Sequence, residues 1–187
     1  MYHIANDIRA KKSADLIIQG LEECLQEKPL DKIKVIDIYN KTYVSRATFY
    51  RLFDNIYDVL SYQCDCLRDE TIKSLENKSF NNKKEFAIHC LKLWLKHETL
   101  IKAIFENRLY ALVYDAQMRH KEDLYKLYSV ESIDDEQLNY IVSFIVSILF
   151  CSYNIYSKQK EKKTVEEIVD HTDKMIATIV EMWNISR

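Results

Sequence analysis

Glycine and proline occur once each in this chain, at Gly20 and Pro29. Hairpins and tight turns draw on glycine for positive φ and on proline for a fixed φ, so a β-rich fold is starved of turn residues. Long helices joined by polar loops remain. The same shortage excludes a glycine-rich loop that cradles phosphate. The five cysteines (Cys24, Cys64, Cys66, Cys90, Cys151) are odd in number and scattered, with no CxxC pair. They suggest neither a disulfide framework nor a zinc site and favour a reducing cytoplasm. His3, His89, His97, His120 and His171 form no HExxH motif or Cys/His cluster, and no nucleophile elbow is present. Neither a metal or other cofactor nor an enzymatic activity is expected.

Charge of either sign is also nearly absent in sum, at −2 over 187 residues, so no bulk field draws the protein to nucleic acid. The distribution is uneven. Residues 1–53 carry nine Lys/Arg against seven Asp/Glu, on an otherwise acidic chain. That permits a local anion-binding face at the N-terminal end. The opening "MYHIANDIRAKKS" is too polar for the apolar core of a signal peptide.

What is present is helical periodicity. Ala14, Ile17, Ile18, Leu21 and Leu25 mark a helix over about 6–27, ended by Pro29. A short helix over 35–41 faces inward with Val35 and Ile38, and a break at 42–44 follows. A longer helix over 55–75 carries Ile56, Leu60, Cys64, Leu67 and Leu75 on one side, and 76–84 reads as a loop. Further helices are expected near 83–96, 98–106, 108–127, 134–158 and 164–184. Thr164 followed by Glu167 is a capping box that marks where the last one starts. Residues 138–157 have no charge over roughly the length that crosses a bilayer. Asn139, Ser143, Ser147, Cys151 and Asn154 nevertheless form a small-polar stripe along one face. This favours a core or interface helix over a membrane span, and no membrane association is expected.

The most informative stretch is "SRATFYRLF", residues 45–53. Advancing about 100° per residue puts Arg46, Ala47, Tyr50 and Arg51 on one side and Phe49, Leu52 and Phe53 on the other. Thr48 lies at the margin. Ser45 is a good N-cap, and Val44 before it is placed to staple onto Phe49. The small Ala47 lets the backbone approach a binding partner closely. A solvated amphipathic helix has the same pattern, but the context adds to it. A short helix, a three-residue turn and a second capped helix make a helix-turn-helix, whose second helix enters the major groove. Arg46 and Thr48 then reach base edges, and Tyr50 and Arg51 reach phosphates.

Residues 9–60, above all "KIKVIDIYNKTYVSRATFYRLFDNIYDVL", resemble the DNA-binding domain of TetR-family transcriptional regulators. The core of the likeness is Val44, Ser45, Arg46, Ala47, Thr48, Phe49, Tyr50, Arg51, Leu52 and Phe53. The resemblance implies an all-α fold, with an N-terminal three-helix bundle containing the helix-turn-helix and a larger C-terminal helical domain. Residues 1–54 would be the DNA-binding domain, and residues 55–187 the ligand-binding and dimerisation domain. It implies a homodimer on a double-stranded DNA operator, most often a repressor, released by a small-molecule effector and working in the cytoplasm. The sequence departs from the family pattern at five positions. Thr42-Tyr43 replaces an Ala-Gly turn, so the turn must adapt. Leu52 and Ile56 replace a His and a Lys that contact phosphate. Lys34 stands where a Thr opens the second helix, and as a cation it is counted with Ser45, Arg46, Ala47, Thr48, Tyr50 and Arg51 as DNA-binding. The losses leave open a co-regulator that acts through protein partners with weak or no DNA binding.

The resemblance also assigns the last two helices to a four-helix dimer interface. The candidates there are Asn139, Ser143, Ser147, Ile168, Thr172, Ile176, Ile179 and Trp183, although the Asn139–Ser143–Ser147 stripe could equally line a cavity. The middle helices are rich in aromatic and polar groups: His89, Trp94, His97, Phe105, Tyr110, Tyr114, Gln117 and Met118. These are the candidates for an amphipathic effector pocket.

Overall fold

A computed structural model describes residues 2–4, 7–76, 78–123, 134–158 and 163–185. Helix α1 (Ile8–Glu27) opens on Asp7, whose carboxylate accepts the Arg9 N–H at 3.1 Å. Its inward face is Ala10, Ala14, Ile17, Leu21 and Cys24, with Ile18 and Leu25 half-buried beside it. Pro29 then leads into one 3₁₀ turn, Leu30–Lys32. Helices α2 (Val35–Lys41) and α3 (Arg46–Leu52) complete a bundle on α1. Gly20 sits where α1 crosses α2. A Cβ there would lie 2.6 Å from Thr42 Cγ2 and 2.9 Å from the Ile38 carbonyl oxygen, so only glycine allows this approach.

Helix α4 (Ile56–Leu75) is the spine of the molecule. It is capped by Asn55, whose side chain accepts the Asp58 N–H at 3.1 Å. It packs on α1, α5 (Lys83–Lys96), α6 (Glu98–Glu106) and most extensively on α7 (Tyr110–Met118). Because helices cover it on several sides, α4 buries the polar Gln63, Asp65 and Arg68 as well as its apolar face. Helix α8 (Asp135–Lys158) lies on α7, and α9 (Val165–Ile185) lies on α5 and α8. One continuous core runs from Ala10 through Phe49, Leu60 and Ile104 to Tyr153. Thr164 and Glu167 form the expected cap, the Glu167 carboxylate accepting the Thr164 N–H at 2.8 Å.

One feature departs from the sequence expectation and two add to it. The helix expected over 108–127 is interrupted: α7 ends at Met118, residues 119–120 turn, and residues 121–123 are helical again. The Arg119 side chain is drawn to Asp65, and the His120 carbonyl accepts Arg68 Nη2–H at 2.9 Å, which turns the chain. Residues 124–127 lie outside the described residues. Helix α8 is long and apolar enough to span a bilayer, and about a third of its most apolar stretch is buried, as the expected core or interface helix would be. Leu138, Val142, Val146 and Phe150 face inward, while Tyr140, Phe144 and Ile155 remain exposed. Finally, the N-terminal segment is docked. Tyr2 pairs with Phe53 in an antiparallel bridge, and the His3 N–H donates to the Leu52 carbonyl at 2.7 Å.

Candidate nucleic-acid interface and ligand cavity

The orientation of α3 follows from what it buries. Phe49, Leu52 and Phe53 are essentially inaccessible, and Val44 ahead of the helix is buried in the same core. Fixing these residues leaves Arg46, Ala47, Tyr50 and Arg51 on the open side. Ser45 caps the helix by accepting the Thr48 N–H at 3.2 Å, and the two hydroxyls lie 3.0 Å apart, which holds Thr48 half-buried at the edge. The Arg46 guanidinium carbon stands 5.6 Å from the Tyr50 ring centroid, a cation–π contact that steers the arginine along the face. Among the described residues neither Arg46, Arg51 nor the exposed Lys34 is paired with a carboxylate. Lys28 and Lys41 nearby are paired, with Asp37 at 2.7 Å and with Glu27. The open side of α3 therefore presents unneutralised cations, the requirement for phosphate contact.

The turn adapts without glycine. Arg108 has the only positive φ among the described residues, so Tyr43 keeps an ordinary backbone and points fully into solvent. Thr42 closes the turn instead. Its hydroxyl donates to the Ile38 carbonyl at 3.2 Å and accepts the Val44 N–H at 3.4 Å. Lys34 precedes α2, where its backbone N–H donates to the Asp37 carboxylate at 2.7 Å. That bond and Lys28 hold the Asp37 carboxyl below its ordinary range, the Lys28 contact contributing most. Leu52 and Ile56 are not surface positions: one is fully buried and the other packs against the core.

A second feature is a cavity of about 390 Å³ between α4, α5, α7, α8 and α9. Its walls are mainly Ile72, Leu75, Phe86, Leu91, Trp94, Val142, Ile145, Val146, Leu149 and Val169. Of the residues proposed from sequence for an effector pocket, Trp94 and Gln117 line it. The other six do not. His89 Nε2 bonds Ser74 Oγ at 2.9 Å, and His97 Nε2 bonds Glu70 at 2.9 Å. Phe105 and Tyr110 pack with Phe150 and Tyr153 in an aromatic cluster. Tyr114 donates to Asn139 Oδ1 at 3.2 Å, and Met118 packs against the core. Burial pushes the Tyr153 phenol in that cluster up to about 12.

The residues proposed for a dimer interface also divide. Asn139, Ser143, Ser147 and Ile179 are exposed. Ile168 is buried, and Thr172 and Ile176 line the cavity, with Thr172 Oγ1 3.2 Å from Ser152 Oγ. The Trp183 side chain lies outside the described residues. Exposed Tyr140, Phe144 and Ile155 on α8 join Met175, Ile179, Val180 and Met182 on α9 as an apolar surface.

Sequence reasoning missed a polar network that links the two halves. Arg68 is almost wholly buried and bonds Asp69 at 2.8 Å, Asp123 at 2.6 Å and the His120 carbonyl at 2.9 Å. Next to His120, Arg119 grips both Asp65 oxygens at 2.8 and 2.9 Å. Asp65 in turn accepts the Tyr2 hydroxyl. The Tyr2 phenol is pushed up first by burial and then by this carboxylate. Apart from Asp69, the partners in this network are dozens of residues apart in the chain, so no local pattern announces them.

A short capped second helix held from behind by an aromatic core, carried on a helical body with a solvent-open cavity, is a helix-turn-helix on an all-α body. Solved structures agree on the fold. Lin0861 from Listeria innocua superposes with a TM-score of 0.76 at 19% identity, over 95% of this chain and 96% of that one. A TetR transcriptional regulator from Streptococcus agalactiae 2603V gives 0.61 at 20% identity, over 89% and 94%. A protein described as a TetR-family transcriptional regulator from Syntrophomonas wolfei gives 0.63 at 17%, over 90% and 95%. No protein-family profile matches the sequence, and no curated protein matches it. The chain has the fold of the TetR-family transcriptional regulators.

Proposed function

We propose that this protein is a TetR-type transcriptional repressor, a homodimer whose grip on a DNA operator is controlled by a small molecule. The observation that carries the reading is the open side of α3. Arg46, Tyr50 and Arg51 are exposed there, and neither arginine is ion-paired among the described residues, while three buried side chains hold the helix from behind. Residues 1–54 act as the reading head and residues 55–187 as the regulatory body. Arg46 and Thr48 read base edges; Lys34, Tyr50 and Arg51 contact phosphate; Ser45 caps the helix, and Ala47 allows close approach. Helices α8 and α9 pair with their symmetry mates through the apolar residues left exposed among the described residues. The effector occupies the cavity against α4. Filling it shifts α4 and alters the spacing of the two heads, which must match major grooves roughly 34–36 Å apart.

The test is titration of the purified protein onto labelled DNA from upstream of its own gene, at two salt concentrations, with an unrelated fragment as control. Specific binding that weakens steeply with salt is expected, because phosphate neutralisation releases counterions. Tyr50→Phe should weaken binding to all sequences, and Arg46→Ala should also relax base preference. Equal binding to both fragments by a folded dimer would overturn the reading in favour of a co-regulator that works through protein partners.

A further inference from the structure

We infer that the cavity selects an uncharged, largely apolar molecule with a single polar head, of the ketone, ester or alcohol class, held by the Gln117 carboxamide. This rests on reading the cavity as the effector site. Charge is the first argument. Among the described residues the one buried cation at its wall, Arg68, is matched by Asp69 and Asp123, while Lys83 and Lys84 lie exposed at the mouth, where they pair with Asp173 at 2.9 Å and Asp170 at 2.6 Å. In the apolar depth of the cavity, away from the exposed lysines of the mouth, an organic acid would meet no unmatched full positive charge and would be stripped of water at a large cost. An amine fares no better, since among the described wall residues the one carboxylate, Asp173, lies exposed at the mouth and paired with Lys83. Burial pushes the Cys90 thiol at the wall up to about 11, so it too is neutral.

Hydrogen bonding is the second argument. The hydroxyls of the wall are spent on their own helices or on each other. Thr71 donates to the Leu67 carbonyl at 2.7 Å, Thr172 donates to that of Ile168 at 2.9 Å, and Ser152 meets Thr172. Two groups are the exceptions. The Arg68 Nε–H is buried without a partner among the described residues, although the Nη atoms of the same guanidinium are held by carboxylates. The Gln117 carboxamide makes no hydrogen bond among the described residues, and it is half-buried on the α7 side of the cavity. It offers one donor group and one acceptor to a space otherwise walled by aliphatic and aromatic carbon. A volume of about 390 Å³ holds on the order of ten to fifteen non-hydrogen atoms, taking about 30 Å³ for each water-sized group. One polar head that accepts hydrogen bonds, on a medium-length apolar body, fits both the size and these donors.

Trp94, buried at the cavity wall, supplies the readout. The full-length protein is titrated at pH 8 with 2-nonanone and, separately, with nonanoate, following tryptophan fluorescence. Saturable quenching by the ketone is expected, with nonanoate at least about tenfold weaker, and Trp94→Phe should abolish the signal. Gln117→Leu, close in size and still apolar, should weaken the ketone about fivefold or more, the loss of one hydrogen bond. Equal affinity for ketone and acid, no binding of the ketone, or an unchanged ketone affinity in Gln117→Leu would each overturn the inference. DNA titration of the same preparation without any probe separates the two failures. Specific DNA binding with no ketone binding refutes this inference alone, whereas loss of specific DNA binding refutes the repressor reading.

Discussion

Replacing the single glycine by alanine should destabilise this protein, although alanine is the better helix former. Gly20 lies in the interior of α1, where the exchange ordinarily stabilises by about 1 kcal/mol. Here the new methyl would lie 2.6 Å from Thr42 Cγ2, 2.9 Å from the Ile38 carbonyl oxygen and 3.2 Å from Ile38 Cγ2. The Ile38 oxygen is backbone of α2, and Ile38 itself is fully buried, so neither can swing aside. Thr42 is tied down by its own bond to that carbonyl. Overpacking of a tight core costs about 1–3 kcal/mol, and contacts to backbone fall in the upper half of that range. The net loss is then about 1–2 kcal/mol, a fall in thermal midpoint of about 2–8 °C for a chain of this size. Circular dichroism melts at fixed protein concentration measure it. Gly20→Ala combined with Thr42→Ser, which removes Cγ2 and keeps the hydroxyl, should recover part of the loss. A midpoint at or above wild type for Gly20→Ala would refute the argument that α1 and α2 touch through backbone at this point. Because α2 carries the turn into α3, the variant should also bind DNA more weakly than its residual stability explains.

Removing the Ser45 hydroxyl as Ser45→Ala should cost about 1 kcal/mol in chemical denaturation, the usual loss for an N-cap, and a change below a few tenths would exclude the cap as a determinant of α3. Tyr2→Phe deletes the hydrogen bond to Asp65 and leaves the ring against Tyr62, 5.2 Å between centroids. It should destabilise the fold by about 1–2 kcal/mol, since the buried carboxylate loses a donor; an unchanged melt would show that the N-terminal segment does not brace the head. Stability should fall as pH drops below the ordinary carboxylate range. Asp37, Glu85 and Asp170 have folded pKa values below their ordinary 3.8 to 4.5, so their contribution is present above that range and is lost as pH falls through the depressed values. Asp37→Asn should flatten the acid limb of a pH series of melts, and an unaltered limb would refute its role. Phe144→Asp with Ile179→Asp places charge on the exposed apolar surface and should give monomers in sedimentation; a dimer that persists would move the interface elsewhere.

The all-helical class, most helix boundaries, the Ser45 cap and the two sides of α3 were legible in the sequence. Each depends on residues within about four positions of one another: the cap on Ser45 and Thr48, the face on the spacing of Arg46, Phe49, Tyr50 and Phe53. Backbone bonding and side-chain periodicity in a helix are local, so a linear pattern carries them. The early end of α7 was not legible, because it depends on Asp65 and Arg68 reaching across from α4. Gly20 gave no signal beyond its rarity, since its meaning lies in how α1 and α2 cross. The cavity was least accessible of all. His89 and His97 looked like pocket residues by type, yet each is satisfied by a partner on α4, while Arg68, Ile72, Val142 and Val169 came from helices far apart in the chain. A cavity is the space that packed helices fail to fill. Its walls are set by crossing geometry and by which long-range polar pairs close around it, and only the tertiary structure decides those.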